Sequence, residues 1–230
     1  MRKCIPLTAR AIYFYRTAGK TTPGGWAVAG DLEQRIDARL PEASRAIALA
    51  VHRLLEPECN HPICVLCIGT DRSTGDSLGP LVGTALKKDP LPGVFVVGDL
   101  EEPLHAANLA DELSGLLSKY PSAVMIAVDA CLGRHDHVGS VLIGRGPLRP
   151  GAGVNKSLPP VGDFFITGTV NVSGFMEYLV LQNTRLNLVM TMANAIAHGL
   201  RSALMGVLPA RPSCLPLSSA PVRPSVHWRQ

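Results

Sequence analysis

Continuous apolar runs alternate with segments of helical periodicity along the middle of this chain, and that alternation limits the folds available to it. The runs at 63–67 ("ICVLC"), 93–98 ("GVFVVG") and 123–130 ("AVMIAVDA") are short and contain almost no polar residue. Such runs are typical of parallel strands buried on both faces. The segments between them, "LVGTALKK" and "LHAANLADELSGLLSKY", have helical spacing. The pattern predicts a parallel sheet of central strands with helices on its faces.

Two further runs and one long helix complete the predicted core. The runs "GSVLIGRG" at 139–146 and "DFFITGTV" at 163–170 have strand character. Apolar residues at helical spacing define one face of a closing C-terminal helix: Leu186, Val189, Met190, Ala193, Ala197, Leu200 and Leu204. We therefore predict a three-layer α/β/α sandwich with a mostly parallel central sheet.

The chain divides into three parts by composition. Residues 1–40 mix Gly, Pro, Thr and Arg without steady periodicity, which is typical of a loosely ordered arm. Residues 207–230 are rich in Pro and Ser, a composition that disfavours helices and central strands. A single α/β/α domain is therefore predicted over residues 41–206.

Charge and hydropathy exclude two classes of partner. The formal net charge is +4, and no Lys/Arg-rich run of the kind that marks a nucleic-acid site is present. No apolar run approaches the roughly 18 residues that a membrane-spanning helix needs. The sequence therefore predicts a protein that binds neither nucleic acid nor membrane.

The six cysteines do not suggest a disulfide framework. Cys64 and Cys67 form a CxxC inside a predicted strand, where residues three apart face opposite sides, whereas redox CxxC pairs lie at a helix start. Metal or redox roles are the alternative, but buried, reduced thiols are the expected state. Reduced thiols favour a reducing compartment, and we expect a cytoplasmic protein.

A turn rich in small residues follows the first predicted strand, "IGTDRSTGDSLGP" at 68–80. Gly69 and Gly75 would let the chain fold back, so that Asp76 lies at the start of the next helix. Asp129 ends a later strand of the same predicted sheet. Because ligands bind at the carboxyl ends of parallel strands, Asp76 and Asp129 are expected to converge at one rim. Taken singly, each has a structural alternative: a helix cap for Asp76 and a backbone-binding turn residue for Asp129.

Two carboxylates at one rim suit two kinds of chemistry. One can activate water as a base while the other, protonated, polarises or protonates the scissile group. Alternatively, the pair can hold a divalent metal that lowers the pKa of bound water. The sequence leaves both open, with either no cofactor or one divalent metal ion.

Five ordered segments carry a family resemblance. They are "IGTDRSTGDSLGPLVG", "EEPLHAANL", "VDACLG", "PGAGVNKSLPPVGDFFITGTVN" and "NTRLNLVMTMANAIAHGL". Together they resemble the sporulation protein YyaC family, also called the spore protease YyaC family. The similarity covers roughly residues 63–204.

That family is more distantly similar to the germination protease of spores and to the hydrogenase-maturation endopeptidases, which share a phosphorylase/hydrolase-like fold. The germination protease has a comparable "DALGP" turn and an "IDA" strand end, each with an essential Asp. These match Asp76 in "GDSLGP" and Asp129 in "VDA". The resemblance therefore implies that Asp76 and Asp129 are catalytic.

Other residues are expected to support this pair. Thr70 and Gly75 belong to the turn, and Thr70 is not expected to be a nucleophile because no G-x-S-x-G elbow surrounds it. "PGAGVNK" resembles a germination protease loop but lacks one Gly, and it fails the P-loop pattern. We expect Gly153, Asn155 and Lys156 to line the site. His105 has two possible roles: capping or packing, or a metal ligand with Asp76 and Asp129.

The position of Asp76 predicts how the two aspartates divide the chemistry. The positive end of a helix favours the ionised carboxylate and would lower the pKa of Asp76. Asp76 is then the base or metal ligand, and Asp129 is the protonated partner.

Two functions of different classes remain. The resemblance implies a peptidase that hydrolyses a peptide bond in a spore or sporulation protein, in the forespore or mother cell of a spore-forming bacterium. The alternative is a non-catalytic or regulatory sporulation protein that binds a metal, small ligand or partner at the same turn. Because the germination protease is an oligomer, the resemblance also implies a homo-oligomer.

Overall fold

A computed structural model describes residues 33–58, 61–150 and 158–207. These residues form six strands and five α-helices. The strands are β1 (Gln34–Asp37), β2 (Ile63–Cys67), β3 (Val94–Val97), β4 (Val124–Gly133), β5 (Ser140–Arg145) and β6 (Phe164–Val172). The helices are α1 (Ala43–Leu55), α2 (Leu78–Lys87), α3 (Leu109–Lys119), α4 (Glu177–Gln182) and α5 (Leu186–Val207).

The strands form one sheet in the order β1-β5-β6-β4-β2-β3. Strands β6, β4, β2 and β3 are parallel, and β5 pairs antiparallel with both β6 and β1. The sheet is therefore mixed but mostly parallel. The predicted α/β class and its mostly parallel sheet are confirmed.

Helices cover the two faces of the sheet unequally. The larger apolar core joins alternate strand residues to α1, α2 and α5 on the first face, and Ile47, Leu78 and Ile196 are fully buried there. A smaller core lies on the second face, where α3 contributes Leu109. The segments on either side of residues 151–157 also join this smaller core, through Leu148 and Val161. The arrangement is consistent with the predicted three-layer sandwich.

Strand β4 shows why Asp129 points where it does. Its residues Ile126 and Val128 pack into the larger core, whereas Met125 and Ala127 pack into the smaller one. Successive strand residues face opposite sides, so Asp129 continues the row of Met125 and Ala127. The carboxyl group therefore lies on the second face, in the second half of β4. The prediction that Asp129 ends its strand is wrong, because β4 continues to Gly133.

Glycines bring α2 very close to the ends of two strands. A Cβ on Gly79 would lie 2.0 Å from the carbonyl oxygen of Ile68, and one on Gly83 would lie 1.8 Å from that of Gly98. No side chain fits in either gap. The start of α2 is therefore fixed against the carboxyl ends of β2 and β3, where the candidate site is expected.

The structure corrects three further sequence predictions. Strand β3 is an edge strand whose residues are all half-buried, not a central strand buried on both faces. Strand β1 lies within the stretch predicted to be an arm and pairs with β5, so the ordered sheet begins before residue 41. Leu186 and Met190, predicted on the buried face of the last helix, are exposed.

The cysteine prediction is confirmed for the strand pair. Cys64 and Cys67 are free, fully buried and packed on opposite faces of the sheet. Burial raises the pKa of Cys64 to about 11 and that of Cys67 to about 12, so both thiols stay protonated. Across residues 33–58, 61–150 and 158–207, none of the helices combines the length with the apolar character that a membrane crossing requires.

Candidate functional site

The turn after β2 folds back on itself through Gly69. This residue has φ +140, and a Cβ here would lie 2.0 Å from the carbonyl oxygen of Asp76. The Thr70 N–H donates a hydrogen bond to that same carbonyl oxygen at 3.1 Å. Glycine is therefore required at the point where the two ends of the turn meet. The predicted return of the chain at Gly69 is confirmed.

Asp76 lies in a single 3-10 turn, Gly75–Ser77, that precedes α2. The residue before α2 is Ser77, whose hydroxyl donates to the carbonyl oxygen of Thr74 at 2.7 Å. The structural alternative, in which Asp76 caps the helix, is therefore wrong. Because Asp76 does not bind the helix end, its carboxylate is available for another role.

Asp129 is a buried carboxyl group, only 7% exposed. Its Oδ1 accepts a hydrogen bond from the Ala130 N–H at 2.8 Å. Burial raises the pKa of Asp129 well above its usual range, and the neighbouring charge of Asp76 raises it further. The two aspartates therefore interact electrostatically, although they come from different elements, and the predicted convergence is observed.

The pKa of Asp76 is also raised, chiefly by burial. A backbone hydrogen bond from Thr70 and the charge of His105 act in the opposite direction and lower it. The predicted lowering of the Asp76 pKa is therefore wrong, because burial outweighs the stabilisation of the anion. Because the pKa of Asp129 is raised as well, the predicted division of roles between the two aspartates stays a prediction.

His105 is held beside the turn by backbone contacts. Ile68 and Leu104 form an isolated parallel bridge, and the Gly69 N–H donates to the Leu104 carbonyl oxygen at 2.8 Å. The His105 N–H donates to Asn108 Oδ1 at 2.8 Å, and its Nδ1 accepts from the Ala107 N–H at 3.3 Å. In the neutral ring the proton is therefore on Nε2.

The donor set for a metal is incomplete in this structure. Among the described residues, no three His, Cys, Asp or Glu side chains gather closely enough to hold a metal ion. Asp76, Asp129 and His105 interact electrostatically but do not form such a group. We therefore assign no step of the chemistry to a metal.

Gly75 connects the turn to the C-terminal part of the chain. A Cβ here would lie 2.8 Å from Leu181 Cδ2 and 2.9 Å from Thr184 Oγ1. The residue before Asp76 is therefore packed directly against the end of α4. This contact helps to bury Asp76.

The predicted loop residues Gly153, Asn155 and Lys156 lie outside the described residues. The flanking segments are described: Leu148 and Val161 are hydrogen-bonded to each other through two backbone contacts of 2.8 Å. Leu148 and Leu158 belong to the smaller core on the second face, the face toward which Asp129 points.

Sequence reasoning missed three polar residues beside Asp129. Thr167 is its partner in the β4–β6 register, and Cys131 pairs with Thr169 two residues further along. The Cys131 sulfur lies 3.5 Å from Thr169 Oγ1. Burial raises the pKa of the Cys131 thiol, so it is a poor nucleophile. The signal that would have found this group is the pair of threonines that interrupts the apolar run "FFITGTV".

Two other buried polar residues, Ser73 and Asp99, differ in their hydrogen bonding. The Ser73 hydroxyl is buried and has no hydrogen-bond partner among the described residues. Asp99, at the end of β3, forms an ion pair with Lys87 and accepts backbone hydrogen bonds from Glu101 and Glu102. Asp99 is thus occupied structurally, which leaves Asp76 and Asp129 as the carboxyl pair at this rim.

Comparison with known proteins agrees with the resemblance drawn from the motifs. Residues 35–199 match the family described as "Protein of unknown function (DUF1256)". A Bacillus subtilis (strain 168) protein described as "Uncharacterized protein YyaC" is 57% identical over 158 residues, covering 69% of this chain and 77% of the relative. The YyaC resemblance is therefore confirmed. This chain belongs to the DUF1256 family, to which its folded region matches almost from end to end.

Proposed function

We propose that this protein is a peptidase that hydrolyses a peptide bond in a spore or sporulation protein, with Asp76 and Asp129 activating water. One observation carries the proposal: two carboxyl groups from separate elements lie close enough for the charge of one to raise the pKa of the other. Strongly perturbed carboxyl pairs at the carboxyl ends of parallel strands are typical of catalytic sites. The relative comes from Bacillus subtilis, a spore-forming bacterium, which supports the sporulation context. The proposal includes the cytoplasm of the forespore or mother cell as the compartment.

The surroundings of each carboxyl group suggest the two roles in the reaction. Asp129, whose pKa is raised by burial and by the charge of Asp76, keeps its proton and hydrogen-bonds the scissile carbonyl oxygen or the leaving nitrogen. Asp76 is the base, because Thr70 and His105 both favour its ionised form. The same assignment explains why His105 is held so firmly beside the turn.

The proton balance closes within the pair. Asp76 takes a proton from a water molecule, and the oxygen of that water bonds to the carbonyl carbon. Asp129 gives its proton to the amide nitrogen as the carbon–nitrogen bond breaks, releasing an amine and a carboxylic acid. Transfer of a proton from Asp76 to Asp129 then restores the starting state. No oxidant, reductant or second substrate is needed.

The test is cleavage of small acid-soluble spore proteins by the full chain. The variants Asp76→Asn and Asp129→Asn are each expected to lose at least about 100-fold in rate, the usual contribution of an acid or base. Asp136→Asn is the matched control, because Asp136 is an exposed carboxylate beyond the end of β4 that pairs with Arg134. This control is expected to cleave at the wild-type rate.

A chelator arm separates acid–base chemistry from metal chemistry. The mechanism above predicts the same rate with and without chelator. Wild-type protein that cleaves none of these substrates, or an Asp129→Asn variant that cleaves as well as wild type, would contradict the proposal. The first outcome would assign the protein to the non-catalytic binding class, whereas the second would leave a peptidase that does not use Asp129.

A further inference from the structure

Large apolar side chains are exposed around the turn that leads into α4. Phe175 is 90% exposed, Met176 56%, Tyr178 62% and Leu179 41%. We call these four residues the apolar rim. The other exposed large apolar residues outside this part of the chain are scattered along it, at Leu40, Leu49, Leu100, Leu117 and Met205. Scattered residues need no explanation, whereas clustered ones mark interaction sites.

The segment around the apolar rim lacks the charges of an ordinary solvated surface. Between residues 173 and 190 only Glu177 and Arg185 are charged. Leu186 and Met190, in the first turns of α5, are exposed as well. This stretch therefore presents apolar surface that a partner of apolar chemistry would cover.

The backbone of the turn displays the rim rather than burying it. Met176 has φ 59 and ψ 46, the left-handed conformation that residues other than glycine rarely adopt. A Cβ on Gly174 would meet no atom within 4 Å. Unusual backbone conformations of this kind persist mainly where they serve a function.

The apolar rim adjoins the turn that carries Asp76. Helix α4 packs on Gly75 through Leu181, the contact described above. Thr184 ties the same segment to the end of β6: its Oγ1 donates to the Val180 carbonyl oxygen at 2.9 Å and accepts from Asn171 Nδ2 at 3.2 Å. The rim is therefore fixed to the same carboxyl-end edge of the sheet as the aspartate pair.

We propose that the apolar rim binds apolar side chains of the substrate polypeptide, next to the bond that is cleaved. This inference rests on the proposed function and names the class of substrate: an extended or unfolded segment rich in large apolar residues. The size of the rim favours a peptide over a second copy of the chain. Four residues suffice to seat a short segment, whereas a standard dimer interface uses about 20–30 residues on each side.

Binding is measured on the full chain carrying Asp129→Asn, so that the peptide stays intact. The probes are two fluorescein-labelled 15-residue peptides of equal charge, one with Leu and Phe at five positions and the other with Ser at those positions. The rim variant adds Phe175→Ser and Tyr178→Ser. The matched control adds Leu49→Ser and Leu117→Ser instead, since these leucines are 51% and 49% exposed on α1 and α3.

The parent and the control are expected to bind the apolar peptide, and the rim variant is expected to bind it at least about tenfold more weakly. The Ser peptide is expected not to bind. Equal binding by the rim variant, or no binding by the parent, would overturn the inference. Thermal unfolding of each variant establishes that lost binding does not reflect lost folding.

Two further readouts separate the alternatives. Sedimentation of the parent and the rim variant tests the alternative that the apolar rim binds a second copy of the chain. An oligomer that dissociates only in the rim variant would show that the rim is an interface between copies. Cleavage is also measured with wild type and with a rim variant that both keep Asp129. This measurement separates the inference from the proposed function. If both aspartates are required but the rim variant keeps the wild-type KM, the inference fails and the peptidase stands. If the apolar peptide binds but nothing is cleaved, the peptidase fails and the rim remains a polypeptide-binding surface.

Discussion

The surroundings of Asp129 do little to stabilise a negative charge on its carboxyl group. It is buried beside a second carboxyl group, and its described hydrogen bond comes from one backbone N–H. Ordinary structural aspartates have the opposite environment: Asp37, for example, accepts hydrogen bonds from Arg39, which lowers its pKa despite some burial. The contrast shows that the surroundings of Asp129 favour its neutral form, which suits a proton donor.

The raised pKa of Asp129 makes a prediction about stability. The folded protein holds this proton to a higher pH than the unfolded chain, in which the pKa of the same carboxyl group is near 3.8. As pH rises above the unfolded pKa, Asp129 ionises in the unfolded chain but not in the folded protein. The contribution of Asp129 to stability is therefore fully present below the unfolded pKa and is lost as pH rises toward the folded pKa. Over this window the loss is about 1.4 kcal/mol per pH unit for one proton.

The Asp129→Asn variant removes this dependence. Its stability relative to wild type is expected to increase as pH rises from about 4, measured by urea unfolding at a series of pH values. Asp71→Asn, an exposed neighbour in the turn, serves as the control and is expected to follow the wild-type curve. A constant difference between Asp129→Asn and wild type across the series would mean that Asp129 is not held protonated.

His105 makes a second prediction at the residue scale. Its charge lowers the pKa of Asp76, so His105→Asn is expected to raise that pKa. The measurement is the pH titration of the Asp76 carboxyl carbon by NMR. The matched control is His135→Asn, because His135 is exposed in the turn after β4. A titration of Asp76 that is unchanged in His105→Asn would remove His105 from the site.

The junction between β2 and α2 is the element on which the site depends. Gly69 allows the turn to close, and Gly79 allows α2 to start against the end of β2. Both positions face backbone atoms, which cannot move aside as a flexible side chain can. The geometry of Asp76 is thus set by close backbone packing together with the backbone hydrogen bonds of the turn.

Gly69→Ala tests this dependence. The new methyl group would overlap the Asp76 carbonyl oxygen, and φ +140 is unfavourable for alanine. We expect a loss of at least about 1–3 kcal/mol in the free energy of unfolding, together with loss of cleavage. Gly115→Ala in α3 is the control, since a Cβ there meets nothing within 4 Å. It is expected to stabilise the protein by about 0.5–1 kcal/mol, because alanine is the better helix former.

At the scale of the whole molecule, the sequence predicts what local patterns determine. The buried strands β2 and β4, the opposite faces of Cys64 and Cys67, and the meeting of Asp76 with Asp129 all follow from periodicity and from the rule that parallel strands end at one edge. The edge position of β3 does not, because its four residues are as apolar as those of a central strand. Strand β1 was missed because "QRID" is short and polar, and only its pairing with β5 makes it a strand.

The electrostatics of the site could be predicted only in part for a similar reason. The position of Asp76 before a helix is visible in the sequence, and it suggested a lowered pKa. The burial that raises this pKa arises only in the folded chain, where the preceding residue, Gly75, packs against Leu181 and Thr184 from far along the sequence. The apolar rim likewise has no distinctive sequence pattern, since an exposed phenylalanine and a buried one look the same before the fold is known.

The most direct test of the central claim needs no substrate. It is the NMR titration of the Asp129 carboxyl carbon in wild type and in Asp76→Asn. We expect the pKa of Asp129 to lie well above the usual range in wild type, because of burial and the charge of Asp76, and to fall when that charge is removed. An Asp129 that titrates in the usual range, or whose pKa is the same in both proteins, would contradict the claim that the two aspartates form one site.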